Sequence, residues 1–126
     1  MSGLSEDRPA TASLAANISN VVVRLLSEFT GRGPTKARTY IQDELITVVL
    51  QDTLTRGEHS LVRDGEQALV LAMRKAYQNT METALTEAVE TISGREVIAF
   101  LSDNHIDPDF AIESFVLAPR GNHAAG

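Results

Sequence analysis

The chain has 126 residues, no cysteine and a formal net charge of −6 at pH 7. This length predicts one domain with a single core, and an apolar fraction of 43% with a charged fraction of 22% is typical of globular proteins. The negative charge argues against a general nucleic-acid binder, because such proteins need a basic face for phosphate. The absence of cysteine excludes a disulfide framework, a thiolate nucleophile and a zinc-thiolate site.

The chain contains no membrane-span signal. Its apolar runs are far shorter than the ~18 residues of a transmembrane helix, and residues 1–12 lack the apolar centre of a secretory signal. We therefore expect a soluble, cytoplasmic protein with no direct membrane span, whose membrane role, if it has one, passes through a partner.

The first half of the chain predicts a tail, a helix and two strands. Residues 1–12 are too poor in large apolar groups to order, so we expect a flexible tail. Apolar residues then recur at helical spacing from Leu14 to Phe29, and Gly31 is placed to end this helix. Residues 35–41 and 45–50 read as strands; the second is apolar on both alternating faces, which predicts a central strand buried on both sides.

The second half repeats this order after a short insertion. Residues 53–62 predict a short amphipathic helix, and residues 66–93 predict a long helix. Its apolar stripe is read as Leu69, Met73, Tyr77, Met81, Leu85, Val89 and Ile92. A hairpin follows between residues 97 and 117, with its loop at residues 102–109. Residues 119–126 read as a second flexible tail.

Two copies of helix–strand–strand, separated by a short helical insertion, predict an α+β fold in one domain at residues 13–118. The helices should pack on one face of a four-stranded sheet. The long helix, at about 42 Å, exceeds a seven-residue strand of about 23 Å. Both the overhang and the second sheet face need a cover, so we expect a homo-oligomer, a dimer in the simplest case.

The hairpin loop from Ser102 to Asp109 holds the densest set of functional groups. Its candidate binding residues are Asp103, Asn104, His105, Asp107 and Asp109. Carboxylates and an imidazole are ligands for a divalent cation. A turn in which Asx side chains bond their own backbone explains the same residues and is favoured over a metal site. No nucleophile motif lies near His105, so no catalytic residue is assigned.

A basic segment, from Gly31 to Arg38, supplies the second set of candidates: Arg32, Lys36 and Arg38. The segment fails as a phosphate loop, because Lys36 follows Thr35 rather than glycine and because a helix ends here instead of beginning. One interpretation is that Arg32 and Lys36 complement the helix dipole and bound the strand. The other, which we favour, is that they face the acidic 103–109 residues and line a shared cleft, within the chain or across a dimer.

Three segments of the chain resemble the bacterial MpsC-like domain family. They are TGRGPTKARTYI at 30–41, VVLQDTLTRGE at 48–58 and VIAFLSDNHIDPDFAIESFVL at 97–117, and the resemblance covers about residues 14–118. It implies a small domain associated with a sodium-translocating, membrane-potential-generating system and with inorganic-carbon (bicarbonate) supply. It implies no catalytic residue and no cofactor.

Two functions remain after this reading. The first is an accessory or regulatory binding module that acts on a partner protein, which could be membrane-bound, or on a small ligand. The second is a small metal- or anion-binding protein, or an enzyme, that uses the Ser102–Asp109 loop. The missing catalytic constellation favours the first.

Overall fold

The computed structural model describes residues 2–120, with side chains from residue 10 onward. Within these residues three helices and four strands follow one another along the chain. Their order is α1 (Ser2–Thr30), β1 (Lys36–Gln42), β2 (Leu45–Gln51), α2 (Arg56–Arg63), α3 (Gln67–Ser93), β3 (Val97–His105) and β4 (Phe110–Leu117). The order α1–β1–β2, then α2, then α3–β3–β4 confirms the predicted α+β fold, its pseudo-repeat and its helical insertion.

The four strands form one antiparallel sheet in the order β1-β2-β4-β3. Each repeat contributes one hairpin, and the hairpins join through β2 and β4. The outer strands are therefore β1 and β3, one from each repeat. Both segments singled out by the sequence lie on or beside these outer strands.

Helices α1 and α3 pack against each other and cover one face of the sheet. Apolar residues recur every three or four positions on these helices and every second position on the strands, as helix and strand geometry require. The fully buried members include Ile18, Val22, Ile46, Val48, Leu50, Met81, Leu85, Val89, Phe115 and Leu117. The rings of Phe100 and Phe115 contact each other at a centroid distance of 5.2 Å.

The structure corrects three predictions. Strand β2 is central, but it is buried on one side only, since Leu45 is 44% exposed on the other. The stripe on α3 is wrong in its first half, where Val70, Arg74 and Gln78 are the buried residues. The predicted 102–109 loop is wrong in length, because β3 continues to His105 and leaves only residues 106–109 in the turn.

At the ends of the chain, helix α1 begins at Ser2, so that helical backbone extends over residues expected to form the first tail. The flexibility of that segment and the limits of the domain stay predictions. Residues 121–126 of the second expected tail lie outside the described residues.

The overhang of α3 is covered on one side by α2. Val70 is fully buried there, whereas Leu69 and Leu71 on either side of it are exposed. Helix α2 begins with a capping box, in which the Thr55 hydroxyl accepts from the Glu58 backbone N–H and the Glu58 carboxylate accepts from the Thr55 N–H. This box fixes the start of α2 and holds the Glu58 carboxylate close to α3.

Both long helices end at a glycine in the left-handed region, Gly31 with φ 81° and Gly94 with φ 70°. A side chain raises the energy of this backbone conformation by steric conflict with the following carbonyl. The Gly94 N–H donates to the Glu90 carbonyl at 2.8 Å and closes the last turn of α3. The equivalent glycine positions in the two repeats thus have the same structural role.

We expect Gly94→Ala to lower the free energy of unfolding by about 1 kcal/mol, through backbone strain alone. No atom lies within 4 Å of a Cβ added at Gly94 or at Gly57, so contact terms are absent from both substitutions. Gly57 lies in α2 without a positive φ, and Gly57→Ala should raise stability by about 0.5 kcal/mol. Urea denaturation of both variants measures the difference; equal effects would contradict the explanation.

Candidate functional site

The sheet face opposite the helices, here called the open face, is built from every second residue of each strand. The strand register arranges these residues in four rows that run from β1 to β3. The rows are Lys36–Gln51–Phe110–His105, Arg38–Val49–Ile112–Asp103, Tyr40–Thr47–Ser114–Leu101 and Gln42–Leu45–Val116–Ala99.

The open face is rich in exposed apolar side chains. Tyr40 is 54% exposed, Leu101 58%, Leu45 44% and Ile112 42%. A single exposed apolar residue is ordinary, but a group gathered on one face indicates a contact surface. The hydrogen bond between the Thr47 and Ser114 hydroxyls, at 3.1 Å, satisfies both groups with each other in the middle of this face.

Charges of opposite sign lie at the two edges of the open face. Lys36 and Arg38 are on β1, whereas Asp103 is on β3 beside His105. Three strand spacings separate the outer strands, a distance of about 14 Å. Lys36 and Arg38 line a recess of about 520 Å³, and Asp103 and His105 line another of about 170 Å³. The two groups thus share a face and Arg38 shares a row with Asp103, but within one chain they line two recesses.

A buried polar network lies behind the sheet, at the end where β3 turns into β4. Its centre is Arg74 of α3, which is only 6% exposed. The Arg74 guanidinium donates to the side-chain amide oxygen of Asn104 at 3.0 Å, to the Glu58 carboxylate at 3.0 Å and to the Thr53 hydroxyl at 2.8 Å. These contacts join α3, β3, α2 and the segment after β2 through one side chain.

The network continues to the turn between β3 and β4. Both carboxylate oxygens of Asp109 accept hydrogen bonds, one from the Thr53 hydroxyl at 2.8 Å and one from the Leu54 N–H at 2.9 Å. On the other side, the Asn104 amide donates to Gln78 at 3.0 Å. Asn104 and Asp109 are therefore structural members of this network rather than free ligands.

We expect Arg74→Ala to lower the free energy of unfolding by about 3–5 kcal/mol, because it leaves the Glu58 carboxylate buried without its cation. Lys75→Ala, next to it on the exposed side of α3, should change stability by no more than about 0.5 kcal/mol. Urea or thermal unfolding of the two variants gives the comparison. Similar small effects from both would show that Arg74 is not the centre of the network.

A surface cluster adjoins the network at Arg32. The Arg32 guanidinium pairs with the Asp52 carboxylate at 2.6 Å, and this contact is the main reason that the pKa of Asp52 is lowered. The ligand atoms of Asp52, His59 and Asp109 lie within 4.8 Å of one another, as the ligands of a metal ion would. The Asp52 carboxylate is paired with Arg32, and both carboxylate oxygens of Asp109 accept hydrogen bonds from the network. The geometry therefore favours a cluster held by hydrogen bonds within the protein over a metal site.

Glu113 is the buried carboxylic acid of the central strands. It lies on the helix side of β4, is 1% exposed, and its Oε1 has no hydrogen-bond partner. Burial raises the pKa of Glu113 to about 7, with a partial offset from Ser102, Gln78 and the charge of Arg74. Near neutral pH this side chain therefore exchanges a proton inside the fold.

This shift predicts a pH-dependent stability. Between the ordinary value of 4.5 and about pH 7, the native protein holds the Glu113 proton while the unfolded chain has lost it. The free energy of unfolding therefore decreases as the pH rises through this window, by about 3 kcal/mol at most for this one group. The contribution is fully retained below pH 4.5 and fully lost above the native pKa.

The variant Glu113→Gln should remove this contribution and leave the rest of the pH profile unchanged. Its stability relative to wild type should therefore rise between pH 5 and pH 8, because the wild type alone must keep a buried carboxylate. Chemical denaturation at the two pH values measures the difference. A constant difference between variant and wild type across the range would contradict the raised pKa.

The structure places the eight predicted site residues in four settings. Lys36, Arg38, Asp103 and His105 lie on the open face, Asn104 and Asp109 lie in the buried network, Arg32 pairs with Asp52, and Asp107 is exposed in the turn. The His105 Nδ1–H donates to the Pro108 carbonyl at 2.8 Å, which ties the end of β3 to that turn. All eight are at one end of the sheet, but they do not converge on one centre.

Sequence reasoning missed Arg74, Gln78, Asp52 and Glu113. Arg74 and Gln78 follow the buried Val70 at intervals of four, so they lie on the buried side of α3, where a pattern of apolar residues does not reveal them. Glu113 lies on the same face of β4 as Ala111 and Phe115, which are core residues. In each case the signal was a polar residue at a buried position of the periodic pattern.

Residues 10–119 match the model of the MpsC family, described as the Na⁺-translocating membrane potential-generating system. This span contains all four strands, α2, α3 and most of α1. Neither a curated protein nor a solved structure matches the chain. No helix in the described part of the chain combines the length and the hydrophobicity that a membrane span needs.

Proposed function

Because the chain belongs to the MpsC family, we propose that it is an accessory or regulatory binding module of a sodium-associated membrane-potential system. Membership itself connects the chain to that system. The proposal adds the way in which the chain takes part. It is a homo-oligomer in the cytoplasm that binds protein through the open face. Its partner is a membrane-bound component that moves cations and supplies inorganic carbon.

One observation carries this proposal, the apolar open face with charged edges. Protein interfaces typically combine an apolar centre with a polar rim. On the open face, the apolar residues Leu45, Val49, Ile112 and Val116 lie on the two central strands, and the charged side chains lie on the outer strands at one end of the sheet. The helix side of the same sheet is closed by α1 and α3, so the open face is the sheet surface available for contact.

The buried network supports such a role by fixing the turn behind the open face. Asn104 holds β3 from the inside while its neighbours Asp103 and His105 project outward. Asp109 secures the other end of the turn to the segment after β2. Rigid support of this kind lowers the entropic cost of binding, because the contacting side chains are already positioned.

The second function, a metal or anion site in the Ser102–Asp109 loop, has less support. Ser102, Asp103, Asn104 and His105 belong to a strand and alternate between its two faces. Within the described residues, the set whose ligand atoms lie together includes only Asp109 from that loop. A ligand bound by the whole segment would therefore require β3 to change its conformation.

The proposal is tested by placing a charge in the centre of the open face. Ile112→Asp should abolish the contribution of the protein to sodium-dependent membrane potential, because a carboxylate at that position cannot be buried in an interface. The measurement uses a voltage-sensitive dye in cells that lack the native gene and carry a plasmid copy. Thr83→Asp, on the exposed surface of α3, is the matched control and should act as wild type.

Circular dichroism and immunoblotting establish that both variants fold and are present in equal amounts. Full restoration of the potential by Ile112→Asp, at wild-type protein levels, would contradict a role for the open face. Loss of potential with both variants would indicate a general effect of added charge and would also count against the proposal.

A further inference from the structure

The charges on the open face are distributed so that they can be satisfied by a second copy of the same chain. From these positions we infer that two open faces pack together about a two-fold axis that runs parallel to the strands. The inference rests on the homo-oligomer of the proposed function and specifies its geometry. Its test uses purified protein, so that its failure and the failure of the cellular role can be told apart.

A two-fold axis between two sheets and parallel to their strands exchanges the two edges. Strand β1 of one chain then lies over β3 of the second copy, and β2 lies over β4. Residues of the same row face each other, because this rotation preserves position along the strands. Arg38 therefore faces Asp103 of the second copy, twice in the dimer, and Val49 faces Ile112 between these pairs.

The other face-to-face arrangement has its two-fold axis perpendicular to the strands. In that case β1 lies over β1 and β3 lies over β3. The cations Lys36 and Arg38 would then meet the same outer strand of the second copy, and Asp103 would meet neutral residues or itself. Burying charges without partners of opposite sign is costly, so the charge distribution selects the parallel axis.

Arg38 and Asp103 need the second copy to form an ion pair. Within one chain they are separated by two intervening strands, about 14 Å, whereas two packed sheets lie about 10 Å apart. An arginine and an aspartate that project toward each other from facing sheets span this gap. Aligned sheets cross at about 30°, and the length of the arginine side chain accommodates the resulting offset.

The size of the face explains why the edge pairs matter. The part of the sheet in which all four strands pair is about seven residues long and presents a flat area of about 19 Å by 24 Å. This area is smaller than the roughly 800 Å² of accessible surface that each partner buries in a stable complex, even when the additional surface of the projecting side chains is counted. The apolar residues of this face alone therefore give a weak dimer, and the two symmetric Arg38–Asp103 pairs set its orientation and add to its affinity.

A charge exchange tests the geometry. Arg38→Asp and Asp103→Arg should each raise the dimer dissociation constant by at least about tenfold, because each single change places like charges opposite each other. The double variant Arg38→Asp with Asp103→Arg restores both pairs across the axis and should return the constant to within about threefold of wild type. Sedimentation equilibrium provides the measurement, with Lys75→Asp on α3 as the control that should not differ from wild type.

Cysteine cross-linking provides a second measurement, in a chain that has no native cysteine. Tyr40 faces Leu101 of the second copy in this geometry, since the two share a row. A bis-maleimide cross-linker with a span of about 10 Å should join a mixture of Tyr40→Cys and Leu101→Cys proteins much faster than either variant alone, because facing sheets at this spacing are too far apart for a direct disulfide. The perpendicular axis predicts no such preference for the mixture.

Three results would overturn the inference. They are a wild-type protein that stays monomeric at high micromolar concentration, a double charge exchange that fails to restore association, and equal cross-linking in mixed and single-variant samples. A monomeric wild type together with loss of membrane potential in the Ile112→Asp cells would indicate that the open face binds a different protein. That combination would overturn the second copy and the homo-oligomer, and would leave intact the part of the proposed function in which the open face binds a partner protein.

Discussion

The constraint on which the structure depends is the match in width between two helices and four strands. Packed helices lie 8–10 Å apart and strands about 4.8 Å apart, so α1 and α3 together cover one face of this sheet completely. Residues such as Ile18 and Leu85 fill the space between the layers. The remaining helix, α2, lies at one end of the sheet against α3, and no other described element covers the second face. The apolar side chains of that face therefore remain exposed in the single chain.

The second feature of the fold is the polar network that replaces apolar packing at the overhang of α3. An all-apolar contact between α2 and α3 would be at least as stable, because a buried ion pair barely offsets its desolvation. What Arg74 provides is a fixed geometry: its donors have one partner each on β3, on α2 and after β2. We infer that the network specifies how α2 and the β3–β4 turn are placed. The neighbouring Glu113, with its raised pKa, makes this part of the fold sensitive to pH near neutrality.

Much of the architecture could be predicted from the sequence, because the elements obey local rules. Glycines end both long helices and alternating strands follow, so the pseudo-repeat and the one-sided sheet are readable from residues such as Gly31 and Gly94. The site was less accessible, because it depends on contacts between distant segments. Asp103 and Asn104 are neighbours in sequence, yet Asp103 projects onto the open face and Asn104 accepts a hydrogen bond from Arg74. The reason is that β3 extends beyond its apolar run and includes both residues, so their side chains point to opposite faces of the sheet. The pairing of Arg32 with Asp52 likewise depends on a tertiary contact that no local pattern indicates.

The account depends most on its claim that two open faces pack against each other, and hydroxyl-radical footprinting with mass spectrometry tests that claim most directly. The chain contains matched probes, since Tyr40 and Leu101 are exposed on the open face, whereas Tyr77 and Leu69 are exposed on α3. As the concentration of purified protein increases, the account predicts progressive protection of Tyr40 and Leu101 and constant oxidation of Tyr77 and Leu69. Oxidation of all four residues that does not change with concentration would contradict it.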